Sequence, residues 1–211
     1  MNENYVINLG RQLGSGGKEI GEKLAKEFGI AFYDKELIKL ASDESGLCKE
    51  FFEKADECAS QSIIGGLFGT RFPFISDGAI PYGSCLSNDS LFKIQSDVIR
   101  ELAERQSCLF VGRCADYILK DDYDVVSVFI TASPEYRAAR AAKLENISIK
   151  EAQAKLNRMD KARASYHNYH AETKWGASDS YELCINSEKL TTEQAADLIK
   201  FYIDNRKAPE E

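Results

Sequence analysis

Short apolar runs alternate along the chain with longer stretches in which apolar residues recur every three or four positions. The runs predict five β-strands: "YVINL", "IAFY", "CLFVGR", "VVSVFITA" and "ELCIN". The fourth run is almost continuously apolar, as is typical of a strand in a parallel sheet that is covered on both faces. Strands that alternate with helices indicate an α/β fold, in which right-handed crossovers join the strands of a parallel sheet.

The helical spacings predict where helices begin and end. After the first strand, a helix begins near Lys18 and ends at Gly29, with three apolar residues on one face: Ile20, Leu24 and Phe28. Thr191 or Thr192 is expected to cap a closing helix in "TTEQAADLIKFYI". Further helical stretches are predicted at residues 35–61, at 90–106, after Pro134 and at 148–172.

Residues 65–88 differ from the rest of the chain because glycine, proline and aromatic residues are concentrated there. This composition predicts a long loop without regular structure. Loops of this length in compact domains are often functional or mobile. A surface insert without a function explains the composition equally well.

The charge of the chain narrows its possible partners more than its composition does. The chain has 211 residues, 44% of them hydrophobic and 29% charged, as expected for a soluble protein of one domain or one domain with a small insert. The net charge of −7 argues against a nucleic-acid partner, because neutralising a phosphate backbone needs a basic excess. A small phosphorylated ligand held by a few arginines is compatible with it.

Neither a zinc site nor a membrane segment is expected. The six cysteines are scattered, without a C-x-x-C pair or a nearby histidine cluster. The segment "MNENYVINLG" has no basic region and no long apolar stretch, so it does not resemble a signal peptide, and "VVSVFITA" is too short to span a bilayer. A cytoplasmic protein with reduced thiols and no membrane partner is the simplest expectation. The sequence does not indicate an oligomeric state.

Glycine, acidic and arginine residues follow the predicted strands at their carboxyl ends, where open α/β sheets bind ligands. The groups at four strand ends are, in order, "GSGGK", Tyr33 with Asp34, Gly112 with Arg113, and Arg137 with Arg140. A glycine loop that opens a helix, together with guanidinium groups from other strand ends, suits anionic phosphoryl groups.

Arginine side chains are the strongest candidates for chemistry. Phosphoryl transfer depends on positioning and charge neutralisation, and a planar guanidinium binds two phosphate oxygens at once. The candidates are Arg113, Arg137, Arg140, Arg158 and Arg163. Alternatively, these residues form solvated helix faces with pairs such as Asp160 with Arg163. Surface or packing positions are expected for His167, His170 and Trp175.

Six segments together resemble the cytidylate kinase-like family, a branch of the nucleoside monophosphate kinases with the P-loop fold. They are, in order, "GRQLGSGGKEIGEKLA", "FYDKELI", "LFVGRCADYIL", "VFITASPEYRAARAA", "MDKARASYHNYHAETKWG" and "YELCINS". The resemblance runs from about Tyr5 to Ile203 and is weakest at 60–90. It implies a three-layer P-loop NTPase fold over 1–211, with about five parallel strands, helices on both faces, an acceptor-binding insert at 35–105 and a lid-like helical segment at 134–172.

The resemblance also implies roles for individual residues. ATP phosphates would be held by Gly14, Ser15, Gly16, Gly17 and Lys18, and the acceptor monophosphate by Asp34, Gly112 and Arg113. Arg137 and Arg140 match lid arginines. Arg158 and Arg163 match residues that contact the transferring phosphate, and Asn186 and Ser187 lie near the loop that packs on adenine.

The glycine loop departs at three positions from the pattern of a typical nucleoside monophosphate kinase. Such a kinase has Gly at the position of Arg11, Lys at that of Gly17 and Ser at that of Lys18. Loss of the lysine removes a charge worth a few kcal/mol in preorganised sites of this kind. Either Lys18 swings back toward the phosphates or Arg11 leans in. Mg²⁺ would rely on Glu19, Asp34 or water.

Three functions are compatible with these residues. The first is ATP-dependent phosphorylation of a nucleoside monophosphate, with CMP or dCMP as the default acceptor, and the set of arginines favours it. The second is a nucleotide-binding regulatory protein without kinase turnover, which the altered loop favours. The third is a kinase for another small molecule, for which the unusual 65–88 segment leaves room.

Overall fold

The computed structural model describes residues 4–34 and 88–206. The chain divides into two compact units, one comprising Met1–Lys35 and Arg100–Glu211 and the other Glu36–Ile99. The helical stretch predicted at 35–61 and almost all of the loop predicted at 65–88 lie outside the described residues.

Five parallel strands form the sheet of the first unit. They are β1 (Tyr5–Arg11), β2 (Ala31–Tyr33), β3 (Cys108–Phe110), β4 (Asp124–Thr131) and β5 (Leu183–Asn186). Their order is β2-β3-β1-β4-β5, and every adjacent pair is parallel. The strand order reverses direction at β1, so the carboxyl end of β1 lies at the switch point where open α/β sheets bind ligands.

Six α-helices belong to the described ranges. They are α1 (Gly17–Phe28), α2 (Asn88–Arg105), α3 (Ala115–Leu119), α4 (Pro134–Glu145), α5 (Ile149–His170) and α6 (Thr192–Asn205), with short 3₁₀ turns at Ser178–Ser180 and Ser187–Lys189. In these ranges no helix is both long and apolar enough to cross a membrane. The α/β fold and all five predicted strands are confirmed. The five-residue α3 was not predicted, because it is too short to show helical periodicity.

The two faces of β1 pack against different layers. Ile7 and Leu9 are fully buried in a cluster that includes Ile20 of α1 and Ile199 of α6. The alternate residues point to the opposite face, where Asn8 hydrogen-bonds Asp116 of α3. Burial of each large aliphatic side chain contributes about 1.5–3 kcal/mol. The packing thereby fixes β1 and α1, the two elements that flank the glycine loop.

The helix ends explain where several elements begin and stop. Helix α1 ends at Gly29 as predicted, with φ of 64° and its amide hydrogen-bonded to carbonyls of the last turn. Helices α5 and α6 begin with complete capping boxes, built from Ser148 with Glu151 and from Thr191 with Gln194. Of the two predicted cap residues, Thr191 and Thr192, it is Thr191 that caps α6.

Candidate active site

The glycine loop joins the carboxyl end of β1 to the first turn of α1. The amide of Gln12 donates to the Ile130 carbonyl of β4 over 3.0 Å, and the Ser15 hydroxyl donates to the Gln12 carbonyl over 2.8 Å. Gly16 is the N-cap residue of α1, has φ of 80° and provides no side-chain cap. The first amides of α1 thus lack the hydroxyl partner that caps other helices, and they lie at the positive end of the helix dipole.

Gly14 allows the backbone of α4 to approach the loop. A Cβ at this position would lie 2.6 Å from the carbonyl oxygen of Arg137, and the φ of Gly14 is +80°. Both the available space and the backbone conformation therefore require glycine here.

A buried ion pair holds the loop at Leu13. Nη1 of Arg137 lies 2.5 Å from Oδ2 of Asp160 and donates to the Leu13 carbonyl over 3.2 Å. Oδ1 of Asp160 accepts from the Leu13 amide over 2.9 Å. Both backbone polar groups of Leu13 are thereby bound by side chains from α4 and α5. Only 7% of Arg137 is exposed, so this guanidinium maintains the shape of the loop.

Arg163 holds the loop one step earlier, at the last residue of β1. Its Nη1 donates to the carbonyl of Arg11 over 3.0 Å. Burial is the main cause that lowers the pKa of Arg163, the charge of Asp160 opposes this effect, and the charge of Arg113 adds to it. Two predicted arginines, Arg113 and Arg163, therefore lie within electrostatic reach of each other.

Arg140 lies over the N-terminus of α1. Its guanidinium would be 3.6–3.8 Å from a Cβ placed on Gly16, and its Nη2 lies 2.6 Å from Oε1 of Glu19. Arg140, a predicted lid arginine, and Glu19, a predicted metal-binding carboxylate, thus form an ion pair beside the first turn of α1.

The side chain of Lys18 points to the end of β2. Its Nζ lies 2.5 Å from Oδ2 of Asp34, the residue that follows β2, and 3.9 Å from Oε1 of Glu22. Asp34 is buried, whereas 56% of the Lys18 side chain is exposed. Two predicted site residues are therefore brought together in an ion pair.

The turn after β3 presents Arg113. Gly112, Arg113 and Cys114 all have positive φ, of 76°, 68° and 56°. Each non-glycine residue in this region costs about 1–2 kcal/mol, a cost that folds tolerate most often at functional sites. The Arg113 guanidinium lies over the ring of Tyr166 in α5, 5.7 Å from its centroid, and this cation–π contact supports the turn.

The segment after β5 holds the loop from the other side. Oγ of Ser187 lies 2.7 Å from the Ser15 carbonyl oxygen and 3.1 Å from that of Thr131. The exposed Asn186 accepts through Oδ1 from the Glu188 amide and caps the short 3₁₀ turn. Ser187 therefore fixes the glycine loop, and Asn186 shapes the neighbouring surface.

A family model described as the cytidylate kinase-like family matches residues 6–189, a range that begins in β1 and ends after β5. This chain belongs to the cytidylate kinase-like family. No curated protein sequence matches it.

Solved structures share the fold of this family member. An uncharacterized protein from Eubacterium ventriosum is 30% identical, with 96% of this chain and 100% of that chain covered and a TM-score of 0.70. A shikimate kinase from Bacteroides thetaiotaomicron is 12% identical, covers 95% of this chain and 98% of its own length, and has a TM-score of 0.52. The five-stranded parallel sheet and these neighbours confirm the P-loop kinase-like fold.

The five predicted arginines of this cytidylate kinase-like protein fall into different environments. Arg137 and Arg163 bind the backbone of the glycine loop, Arg140 lies at the N-terminus of α1, and Arg113 stands on the turn after β3. Arg158 is exposed on α5 and forms no ion pair within residues 4–34 and 88–206. Four of the five therefore surround or fix the same end of the sheet.

The described residues fit the phosphates of ATP better than they fit a metal ion. Gly16 begins α1 without a side-chain cap and lies beside the Arg140 guanidinium, which suits an anionic ligand. Glu19 and Asp34, the predicted metal-binding carboxylates, pair with different cations. Across the described ranges, no group of three or more His, Cys, Asp or Glu side chains is arranged to hold a metal.

A buried polar cluster behind the turn of Arg113 was missed by the sequence analysis. Sγ of Cys114 lies 3.7 Å from Nδ1 of His167, whose Nε2 lies 2.9 Å from the Thr173 hydroxyl. Burial raises the pKa of Asp116 and lowers that of His167, and each of the two charges opposes the shift of the other. Burial also raises the pKa of Cys114 to about 12, so its thiol stays protonated. The polar Asn8 inside the apolar run "YVINL" was the available signal.

Proposed function

We propose that this protein transfers a phosphoryl group from ATP to a nucleoside monophosphate, with CMP or dCMP as the first acceptors to test. The observation that carries the proposal is the uncapped glycine loop, whose backbone is held by Asp160, Arg137 and Ser187. Such a loop is preorganised to donate hydrogen bonds to phosphate oxygens, because its amides point out of the N-terminus of a helix.

We assign the ATP phosphates to the amides of Gly14, Ser15, Gly16, Gly17 and Lys18. Arg140 adds a positive charge beside Gly16, which favours an anion at this end of α1. Asn186 and Ser187 follow β5 next to the loop, and we assign them to the side on which adenine binds.

We assign the acceptor phosphate to the turn after β3. Arg113 stands there in a strained conformation, and a guanidinium binds a phosphate through two oxygens. Gly112 has no side chain, and a Cβ there would overlap Nη1 of Arg11, so a second guanidinium reaches this turn. Asp34 follows β2, the strand next to β3, and begins the segment assigned to the acceptor. Most of the proposed acceptor insert at 35–105 lies outside the described residues.

The chemistry requires in-line positioning and neutralisation of charge. We propose that the segment 134–172, which contains α4 and α5, acts as the lid that excludes water, with Arg140, Arg158 and Arg163 stabilising the transferring group. Mg²⁺ bound with ATP would neutralise negative charge on the phosphates. Glu19, on the first turn of α1, is the carboxylate best placed to bind its water shell.

A regulatory nucleotide-binding protein is the second candidate. Gly17 favours it, because glycine provides no ammonium group for the phosphates at the position where a typical nucleoside monophosphate kinase has lysine. Binding would then persist without turnover.

An ADP-release assay with ATP, Mg²⁺ and a panel of nucleoside monophosphates tests the proposal. We expect turnover with one monophosphate and a loss of roughly 100-fold or more in Arg113→Ala, as for other preorganised charge contacts. Arg105→Ala is the matched control, because Arg105 is an exposed arginine that ends α2 before the amino end of β3. Thermal shift with ATP but no turnover with any acceptor supports the regulatory candidate instead.

A further inference from the structure

We propose that Arg11 supplies the phosphate-binding charge of the glycine loop and that Gly17 lacks a side chain in order to make room for it. The inference rests on the proposed binding of ATP and names the residue that replaces the missing lysine. In this assignment positions 11 and 17, which are adjacent in space, have exchanged residue types. The cation now extends from Arg11 at the end of β1, and the glycine, Gly17, begins α1.

The space around Gly17 is the first observation. A Cβ on Gly17 would lie 2.6 Å from Cβ of Arg11, 3.0 Å from its Cγ and 3.3 Å from Cδ2 of Leu9. Contacts below 3.0 Å force a neighbour to move, and here the neighbours are atoms near the backbone of Arg11. The Arg11 side chain thus passes through the volume in which a lysine at position 17 would begin.

Backbone conformation does not explain this glycine. Gly14, Gly16 and Gly112 have positive φ, whereas Gly17 is not among the positive-φ residues and forms the first turn of α1. Glycine in a helix costs roughly 1 kcal/mol relative to alanine. The contact with Arg11 supplies the reason for glycine that the helix does not.

The far end of Arg11 is the second observation. A Cβ on Gly112 would overlap Nη1 of Arg11, so the guanidinium has reached the turn that carries Arg113. Arg163 fixes the start of this path by donating to the Arg11 carbonyl over 3.0 Å. The side chain therefore runs from the loop assigned to ATP to the turn assigned to the acceptor, which is the path of a transferring phosphate.

The other candidate cation is directed elsewhere. Nζ of Lys18 lies 2.5 Å from Oδ2 of Asp34, at the end of β2 and away from the loop. Of the two alternatives that the sequence left open, the geometry points to Arg11. A planar guanidinium there can bind two phosphate oxygens at once.

An exchange of side chains tests the inference. The variants are Arg11→Gly, Gly17→Lys, the double variant Arg11→Gly/Gly17→Lys, and Lys26→Ala as a control, since Lys26 is exposed in the last turn of α1. Each is measured for the Kd of ATP and of AMP, for Tm, and for ADP release with the best acceptor. AMP serves as the reference because it lacks the β and γ phosphates.

We expect Arg11→Gly to lower turnover by roughly 100-fold and to weaken ATP binding much more than AMP binding. Gly17→Lys alone should impair activity and lower Tm by about 2–8 °C, because it overpacks against Arg11. The double variant should regain at least ten-fold of the turnover that Arg11→Gly loses. Lys26→Ala should keep the ratio of ATP to AMP affinity.

Distinct results overturn the inference and the proposed function. A double variant no better than Arg11→Gly, or an unchanged ratio of ATP to AMP affinity in Arg11→Gly, overturns the role of Arg11 while wild-type turnover still supports the kinase. Wild-type protein that binds ATP without turnover removes the kinase proposal, and the affinity ratio then decides the role of Arg11. Wild-type protein that binds neither nucleotide overturns both.

Discussion

The N-terminus of α1 and the N-termini of α5 and α6 are built in opposite ways. Ser148 and Thr191 each accept a hydrogen bond from an amide in the first turn of their helix, and the side chains of Glu151 and Gln194 each accept one from the amide of the cap residue. Helix α1 begins instead at Gly16, without a side-chain cap. Every helix leaves amides unpaired at its start. Side-chain caps cover the starts of α5 and α6, whereas α1 and the five-residue α3, which begins after Cys114, have no such cap.

The supporting contacts differ as well. The capping boxes of α5 and α6 are local and exposed, joining residues three positions apart. The loop before α1 is held by side chains distant in sequence, such as Asp160 and Ser187. Together with the local bond from the Ser15 hydroxyl to the Gln12 carbonyl, these long-range hydrogen bonds hold the shape of the loop without a side-chain cap on α1. The comparison therefore separates helix starts that serve stability from the one proposed to serve binding.

The largest effect on ATP affinity is expected for Gly14→Ala. The new Cβ would overlap the Arg137 carbonyl, and alanine also disfavours the positive φ. Together these costs are on the order of 3 kcal/mol, so ATP affinity measured by titration calorimetry should fall by about 100-fold. The amides of the loop would no longer face a common point.

Gly29→Ala is its matched control, because Gly29 ends the same helix with φ of +64° and nothing lies within 4 Å of its Cβ position. This change should cost only about 1–2 kcal/mol of stability and leave ATP affinity unaltered. Equal losses of affinity in the two variants would show that general destabilisation, rather than loop geometry, controls binding.

The second effect concerns the clamp on Leu13, by which we mean the ion pair of Arg137 and Asp160 that binds the Leu13 backbone. Asp160→Ala leaves the buried Arg137 guanidinium without its partner and the Leu13 amide without its acceptor. Removing one member of a buried ion pair costs about 3–5 kcal/mol, which corresponds to a decrease in Tm of more than about 6 °C for a protein of this size. Differential scanning calorimetry measures the decrease, and ATP affinity should fall in the same variant.

Lys155→Ala provides the comparison for that clamp, since Lys155 of α5 pairs with Glu145 of α4 at the surface. Both ion pairs connect the same two helices, but only the pair of Arg137 and Asp160 contacts the glycine loop. The exposed pair should contribute roughly 0–1 kcal/mol. If Lys155→Ala lowered Tm as far as Asp160→Ala, the specific role of the clamp would be contradicted.

The fold was predictable from local patterns because its strands and helices differ clearly in the spacing of apolar residues. All five strands were placed, and Gly29 and Thr191 were recognised as a helix stop and a cap. The end of β3 was placed too late, because positive φ at three consecutive residues ends the strand at Phe110. Two of those residues are not glycine, so the sequence carries little sign of the turn.

The site was predictable in its residue types but not in its pairings. The sequence correctly placed Arg137 and Arg163 near the carboxyl ends of the strands. The local sequence does not indicate that both side chains bind the backbone of the glycine loop. Asp160 was considered as a partner of Arg163, whereas its closest ion pair is with Arg137. Such contacts join residues more than twenty positions apart, and packing of α4 on α5 determines them.

The smallest effect is expected at the capped N-terminus of α6, where a change should lower stability but not ATP affinity. Thr191→Ala removes the hydroxyl that accepts from the Gln194 amide and should cost about 1 kcal/mol, or roughly 2–4 °C in Tm. Thr192→Ala is the control, because Thr192 is the first helical residue and does not cap α6. ATP affinity should be unchanged in both variants, since no part of the proposed ATP site lies at the N-terminus of α6. A loss of affinity in Thr191→Ala comparable to that in Gly14→Ala would erase the distinction between capped and uncapped helix starts.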